Sequence, residues 1–106
     1  MSTYQILRTD TADSQLRQII LYIAENWGAD VALKKMEEIE HQIMALEENP
    51  YIGSEPHYRV LRRQGYKVLI LEKNLVFYKI SDESKEVTVY VIVDQRQDYL
   101  NIIRGL

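Results

Sequence analysis

The sequence predicts an α+β domain: a short N-terminal strand, an antiparallel helical hairpin, and then a mostly antiparallel β-meander. Between Leu16 and Leu46 the apolar residues recur at steps of three and four, the helical period. From His57 onward they alternate, which is the strand period. Short polar connections between the later segments make consecutive strands antiparallel neighbours.

Tyr4-Gln5-Ile6-Leu7 is short and rich in strand-compatible residues, so it opens the domain as a strand. Thr9, Asp10, Thr11 and Asp13 then supply capping oxygens and first-turn negative charge. In the helix that follows, Leu16, Ile19, Ile20, Ile23, Ala24 and Trp27 form one broad apolar face. Gly28 stops it, because glycine tolerates the left-handed conformation. A second helix is expected from Asp30 to Glu48, with Ala32, Met36, Ile39, Ile43 and Leu46 as a narrow packing seam. Lys34, Lys35, Glu38 and Glu48 fall off that seam and should face water. Asn49-Pro50 ends the helix, since proline disfavours helix in the residue before it.

Tyr51 to Pro56 is then a loop. Strands are predicted at Tyr58 to Arg62, Tyr66 to Leu71, Leu75 to Ile80 and Val87 to Val93. Gln64-Gly65, Lys73-Asn74 and Ser81 to Lys85 are the turns between them. Val87, Val89, Val91 and Val93 should share the face that lies against the helices.

At 106 residues the chain is expected to be one domain, 1–106, with a single modest core. It contains no cysteine, which excludes a disulfide scaffold, a cysteine zinc site and a thiol nucleophile. The N-terminus has no apolar signal region and no run approaches a membrane span, so a soluble, cytoplasmic protein is expected. The net charge of −3 conceals an asymmetry: −6 over residues 1–56 and +3 over residues 57–106. A polyanion could use one face of such a molecule, although a sequence pI near 5.4 speaks against strong non-specific nucleic-acid binding.

No glycine-rich phosphate loop, nucleophile elbow or HExxH motif is present. His41 should be a surface residue on the second helix and His57 a loop histidine. The carboxylates sit on helix faces and in turns, so neither a metal nor a cofactor is expected. What remains is a set of basic and aromatic residues: Tyr58, Arg59, Arg62, Arg63, Tyr66, Lys67, Arg96 and Tyr99. Strand geometry sends Arg59 and Arg62 to opposite faces unless a twist or bulge intervenes. Arg96 and Tyr99 follow the last strand directly. Arg96 either offers its planar fork of donors to a phosphate or pairs with Asp94 or Asp98. Tyr99 either stacks on a base or exchanges a proton, or else covers the open end of the core.

The chain resembles the RelE/ParE superfamily of small bacterial toxins. The resemblance runs from Ile19 and Tyr22-Ile23 through Gly28, Leu46 and Asn49-Pro50-Tyr51-Ile52-Gly53. It continues over Tyr58-Arg59-Val60-Leu61, Tyr66-Lys67-Val68-Leu69 and Leu75-Val76-Phe77-Tyr78-Lys79-Ile80 to Val91-Ile92-Val93-Asp94-Gln95-Arg96-Gln97-Asp98-Tyr99. It implies a small α+β fold, a bacterial cytoplasmic location, and a cognate antitoxin that wraps the toxin with an extended or helical segment. RelE-like members cleave messenger RNA in the ribosomal decoding site. ParE-like members inhibit DNA gyrase without nuclease activity, and a purely interacting, non-toxic member is a third reading.

For the nuclease, the resemblance implies catalytic roles for Arg59, Lys67, Arg96 and Tyr99, with Arg62 and Arg63 binding substrate. Arg59 and Arg96 would stabilise the transition state of attack by the ribose 2′-hydroxyl, and Lys67 or Tyr99 would aid proton transfer. Leu61 stands where a second lysine is expected.

Overall fold

The computed structural model describes residues 3–96 and 99–104, with the Tyr99 side chain outside the description. Strand β1 (Gln5–Arg8) leads into helices α1 (Asp10–Trp27) and α2 (Ala29–Met44). Two 3-10 turns, Ala45–Glu47 and Pro50–Ile52, connect to a one-turn helix α3 (Arg59–Arg63). Strands β2 (Lys67–Ile70), β3 (Asn74–Ser81) and β4 (Glu86–Asp94) and a short helix α4 (Tyr99–Arg104) complete the fold. The sheet order is β1-β4-β3-β2, with β1 parallel to β4 and the other pairs antiparallel. This is the expected α+β architecture. No described helix is long and apolar enough to cross a membrane.

The hairpin forms as its sequence dictates. The Thr9 hydroxyl accepts the Ala12 N–H at 3.0 Å and caps α1. Gly28, at φ 97°, joins α1 to α2 and donates its N–H to the Ala24 carbonyl at 3.0 Å. In the α2 seam Ala32, Ile39, Ile43 and Leu46 are buried, while Met36 is exposed. The far end of α1 differs from expectation. Leu16 is buried, but Trp27, the last residue of α1, is 61% exposed.

Two further expectations are corrected. Residues 58–62 form no strand; Arg59–Arg63 is helical, with the Arg62 N–H donating to the Tyr58 carbonyl at 3.2 Å. The stop signal was present in Gly65, which takes φ 88°. Its N–H reaches the Arg62 carbonyl and the Tyr66 N–H reaches the Leu61 carbonyl, the paired bonds of a glycine helix terminus. Arginine, leucine and glutamine are also good helix formers.

The four valines of β4 do not share a face. Tyr78 pairs with Val89 but Phe77 pairs with Val91, leaving Tyr90 as an extra residue on β4. Such a bulge breaks the two-residue alternation and swaps the faces beyond it. Val87, Val89 and Ile92 therefore pack with Leu16, Ile39 and Ile43 of the hairpin. Val91 and Val93 turn to the opposite side, where they are buried with Phe77, Leu61 of α3 and Ile103 of α4. The sheet is thus covered on both faces, by the hairpin on one and by two short helices on the other.

Candidate functional site

The exit of β4 is held from two directions. The Gln95 N–H donates to the Lys73 carbonyl at 3.1 Å, and its side-chain amide donates to the Leu71 carbonyl at 2.6 Å. The turn carrying Arg96 is therefore fastened to the β2–β3 hairpin. Asp94 shapes the same turn: one carboxylate oxygen accepts the Arg96 backbone N–H at 2.8 Å and Nε at 3.2 Å. These bonds hold the Asp94 carboxyl below its usual range, the backbone bond most strongly, and raise the Arg96 guanidinium further. Although paired in this way, the Arg96 side chain is 91% exposed.

Arg96 borders a groove of about 750 Å³ between the hairpin and the ends of β3 and β4. Its apolar wall is Ile19, Tyr22, Ile23, Trp27 and Val31, and Lys35, Lys73 and Arg96 bring cations to it. The Tyr22 and Trp27 rings meet edge to face at 5.9 Å between centroids, although each is about three-fifths exposed, at 60% and 61%. The helical period puts Trp27 on the apolar face of α1, and no spacing in the sequence brings Tyr22, Lys35 and Lys73 to the same groove. The available signal was the position of Trp27 beside Gly28, at the turn of the hairpin.

The other sequence-predicted residues lie elsewhere. Lys67 opens β2, 3.3 Å from the Glu55 carboxylate and 5.6 Å from the centre of the Tyr51 ring. It pairs with Tyr78, whereas Asn74, four residues further along β3, pairs with Asp94. Those four steps separate the two levels by roughly 13 Å along the strands. Two inter-strand spacings of about 4.8 Å add to this, and Arg96 lies beyond Asp94. Lys67 and Arg96 do not converge on one phosphate.

Arg59, Arg62 and Arg63 ride on α3, where residues three and four apart are neighbours, so the helix removes the strand objection to their sharing a face. Arg62 is engaged locally, its Nη1 donating to the Pro56 and His57 carbonyls at 2.9 and 2.8 Å. Arg59 and Arg63 are exposed and form no ion pair among the described residues. Tyr99 opens α4, and its side chain, like Gln97 and Asp98, lies outside the described residues. His41 and His57 are both exposed, as expected.

On the sheet face opposite the hairpin, Lys79 Nζ lies 4.5 and 5.2 Å from the centres of the Tyr66 and Tyr90 rings. Elsewhere that face is apolar and covered by α3 and α4. Tyr4, Tyr51, Tyr66 and Tyr78 all have phenol groups pushed above their ordinary pKa, away from ready proton donation. Among the described residues no cluster of acidic, histidine or cysteine side chains could hold a metal ion.

Residues 6–99 match the family model described as the ParE toxin of the type II toxin–antitoxin system, parDE. The chain belongs to the ParE toxin family. A search of the curated proteins returns no match. Among solved structures, the fold is similar to one described as the chromosomal ParDE toxin–antitoxin system from P. aeruginosa. That match has a TM-score of 0.71 and 21% identity, and covers 86% of this chain and 95% of that one. It is also similar to a structure described as the toxin–antitoxin complex RelBE2 from Mycobacterium tuberculosis. Here the TM-score is 0.65 and the identity 16%, with 92% of this chain and 97% of that one covered. This ParE-family chain is a toxin of the type II toxin–antitoxin class.

Proposed function

We propose that this toxin arrests growth by binding a protein target, DNA gyrase, and does not cut RNA. The observation that carries this reading is the separation of Lys67 from Arg96 across the sheet. Cleavage through a ribose 2′-hydroxyl needs cations and a proton carrier converging within hydrogen-bond reach of one phosphate. The cations that the resemblance assigns to cleavage instead occupy three places: Arg59, Arg62 and Arg63 on α3, Lys67 at the start of β2 and Arg96 at the exit of β4. The match to the ParE model supports the same reading. Arg96 then serves as an exposed contact residue on a rigid turn, in the bacterial cytoplasm.

Inducible expression with parallel measurement of DNA damage and transcript integrity tests this proposal. Double-strand breaks and a damage response with intact transcripts are expected. Cleaved transcripts without DNA damage would instead establish the endoribonuclease acting on ribosome-bound messenger RNA. Unimpaired growth on strong expression would mark a non-toxic, interacting member of the family.

A further inference from the structure

We infer that the outer face of the helical hairpin is a homodimer interface. Two copies of the chain pack antiparallel through α1 about a twofold axis at Leu21, with Arg17 of each copy against Glu25 of the other. The inference is independent of the target on which the toxin acts.

The face begins in the sequence. Between Asp13 and Asp30 the only charged residues are Arg17 and Glu25, which stand four residues before and four after Leu21. Residues four apart on a helix lie on one stripe, so α1 carries a cation, an apolar centre and an anion in line. A twofold axis through the centre of such a stripe reverses it and sets each cation opposite an anion. The structure leaves all three side chains available. Leu21 is 56% exposed, Arg17 and Glu25 are exposed, and neither charged group forms an ion pair among the described residues. The carboxylates that line the hairpin beside Arg17 are already taken, since Arg8 holds Asp13 at 2.9 Å and Glu40 at 2.6 Å.

The stripe borders an apolar surface. Ile20, Leu21 and Met36 line a groove of about 590 Å³ between α1 and α2, and Leu33 and Met44 continue the α2 flank as exposed residues at helical steps. Contiguous exposed apolar surface rimmed by charge marks an interaction site. Charge decides the occupant. A strongly acidic or basic partner satisfies one of Arg17 and Glu25 and repels the other, whereas a second copy satisfies both. The line from Arg17 through Leu21 to Glu25 is also an i±4n ridge, the kind that interdigitates in the commonest class of helix packing. The groove beside Arg96 draws on Ile19, Tyr22 and Ile23 of α1 and shares no lining residue with this one, so Arg96 stays open in both copies.

Sedimentation of the purified, full-length toxin over a concentration series tests the inference. The mass is expected to climb from that of the 12.5 kDa chain towards twice that value. Leu21→Arg sets two like charges on the axis and is expected to weaken dimerisation at least ~10-fold, with Ile70→Arg, an exposed residue of β2, within about twofold of the parent. Arg17→Glu and Glu25→Arg are each expected to weaken it at least ~5-fold, because each turns both attractive pairs into repulsive ones. One change makes the chain more negative and the other less so, which separates this effect from that of net charge. Mixing the two variants in equal amounts restores opposite charges at both pairs, and the mixed dimer should form about as tightly as the parent's. All four positions are exposed, and circular dichroism checks that each variant is folded.

A parent that remains monomeric at ~1 mM overturns the inference. So does a dimer that tolerates Leu21→Arg as well as it tolerates Ile70→Arg, since the contact then lies on another face. A mixture of Arg17→Glu and Glu25→Arg that dimerises no better than either variant alone overturns the twofold pairing of the two residues.

Discussion

The Gln95 side-chain amide donates to the Leu71 carbonyl at 2.6 Å, tying the exit of the last strand to the preceding β-hairpin. One residue later stands Arg96, whose side chain is almost wholly exposed. A fixed backbone thus presents an exposed cation, oriented by its bond to Asp94, and the two residues should separate in their effects. Gln95→Ala is expected to lower stability by about 1 kcal/mol through loss of that hydrogen bond. Arg96→Ala should leave the urea midpoint unchanged and reduce toxicity. Urea unfolding beside a growth assay checks both.

Gly53 is a packing requirement. Its N–H donates to the Tyr78 hydroxyl at 3.0 Å, and that hydroxyl donates to the Pro50 carbonyl at 2.8 Å. A Cβ here would collide with the Tyr78 hydroxyl and lie 2.8 Å from the Val68 carbonyl oxygen. Gly53→Ala is expected to destabilise by about 2–3 kcal/mol, as overpacking of a well-filled site does. At Gly65 nothing lies within 4 Å of a built Cβ, and only its positive φ resists substitution. Gly65→Ala should therefore be milder, about 1 kcal/mol. Chemical denaturation of both variants ranks them.

Thr9 performs two tasks with one hydroxyl, accepting from Ala12 to cap α1 and donating to Tyr90 at the bulge. Thr9→Ala should lower stability by about 1–2 kcal/mol, the usual range for a lost helix cap. Thr9→Ser keeps both bonds and should restore most of that loss. Thermal unfolding of the two variants distinguishes loss of the hydroxyl from loss of the methyl.

Much of the fold was legible because its signals are periodic. The α2 seam fixed Ile39, Ile43 and Leu46 as core, and Gly28 marked the hairpin turn. What escaped the periodic reading depends on single residues or on contacts distant in sequence. The Tyr90 bulge reverses the facing of Val91 and Val93, although the run Val87 to Val93 alternates without a break. At α3, Tyr58, Val60 and Arg62 mimic strand alternation, and only Gly65 betrays a helix end. The candidate site was half legible. Arg96 stood out at the end of a buried strand, but Tyr22, Trp27 and Lys73 meet it only in three dimensions.

The Asp82 carboxylate accepts hydrogen bonds from the hydroxyls of both Tyr4 and Tyr51, joining the N-terminal segment, the 3-10 turn and the β3–β4 turn. Those two bonds hold the Asp82 pKa below its ordinary value. Its contribution to stability is present above the ordinary aspartate value of about 3.9 and fades as pH falls through the lowered folded value. Tyr51, pushed up to about 12 chiefly by its bond to Asp82, behaves oppositely. Its contribution is full below about 10 and disappears as pH rises through 12. Asp82→Asn should therefore lower the melting temperature modestly at neutral pH, the groups being exposed, and the gap to the parent should narrow at both extremes. Melting curves across pH 2 to 12 give the comparison.

The central claim is action by binding on gyrase. It is tested most directly by adding the purified toxin to gyrase, ATP and relaxed plasmid and following supercoiling on a gel. The account predicts dose-dependent loss of supercoiling, relieved by the antitoxin and weakened by Arg96→Ala. Full supercoiling at a large excess of folded toxin would contradict it.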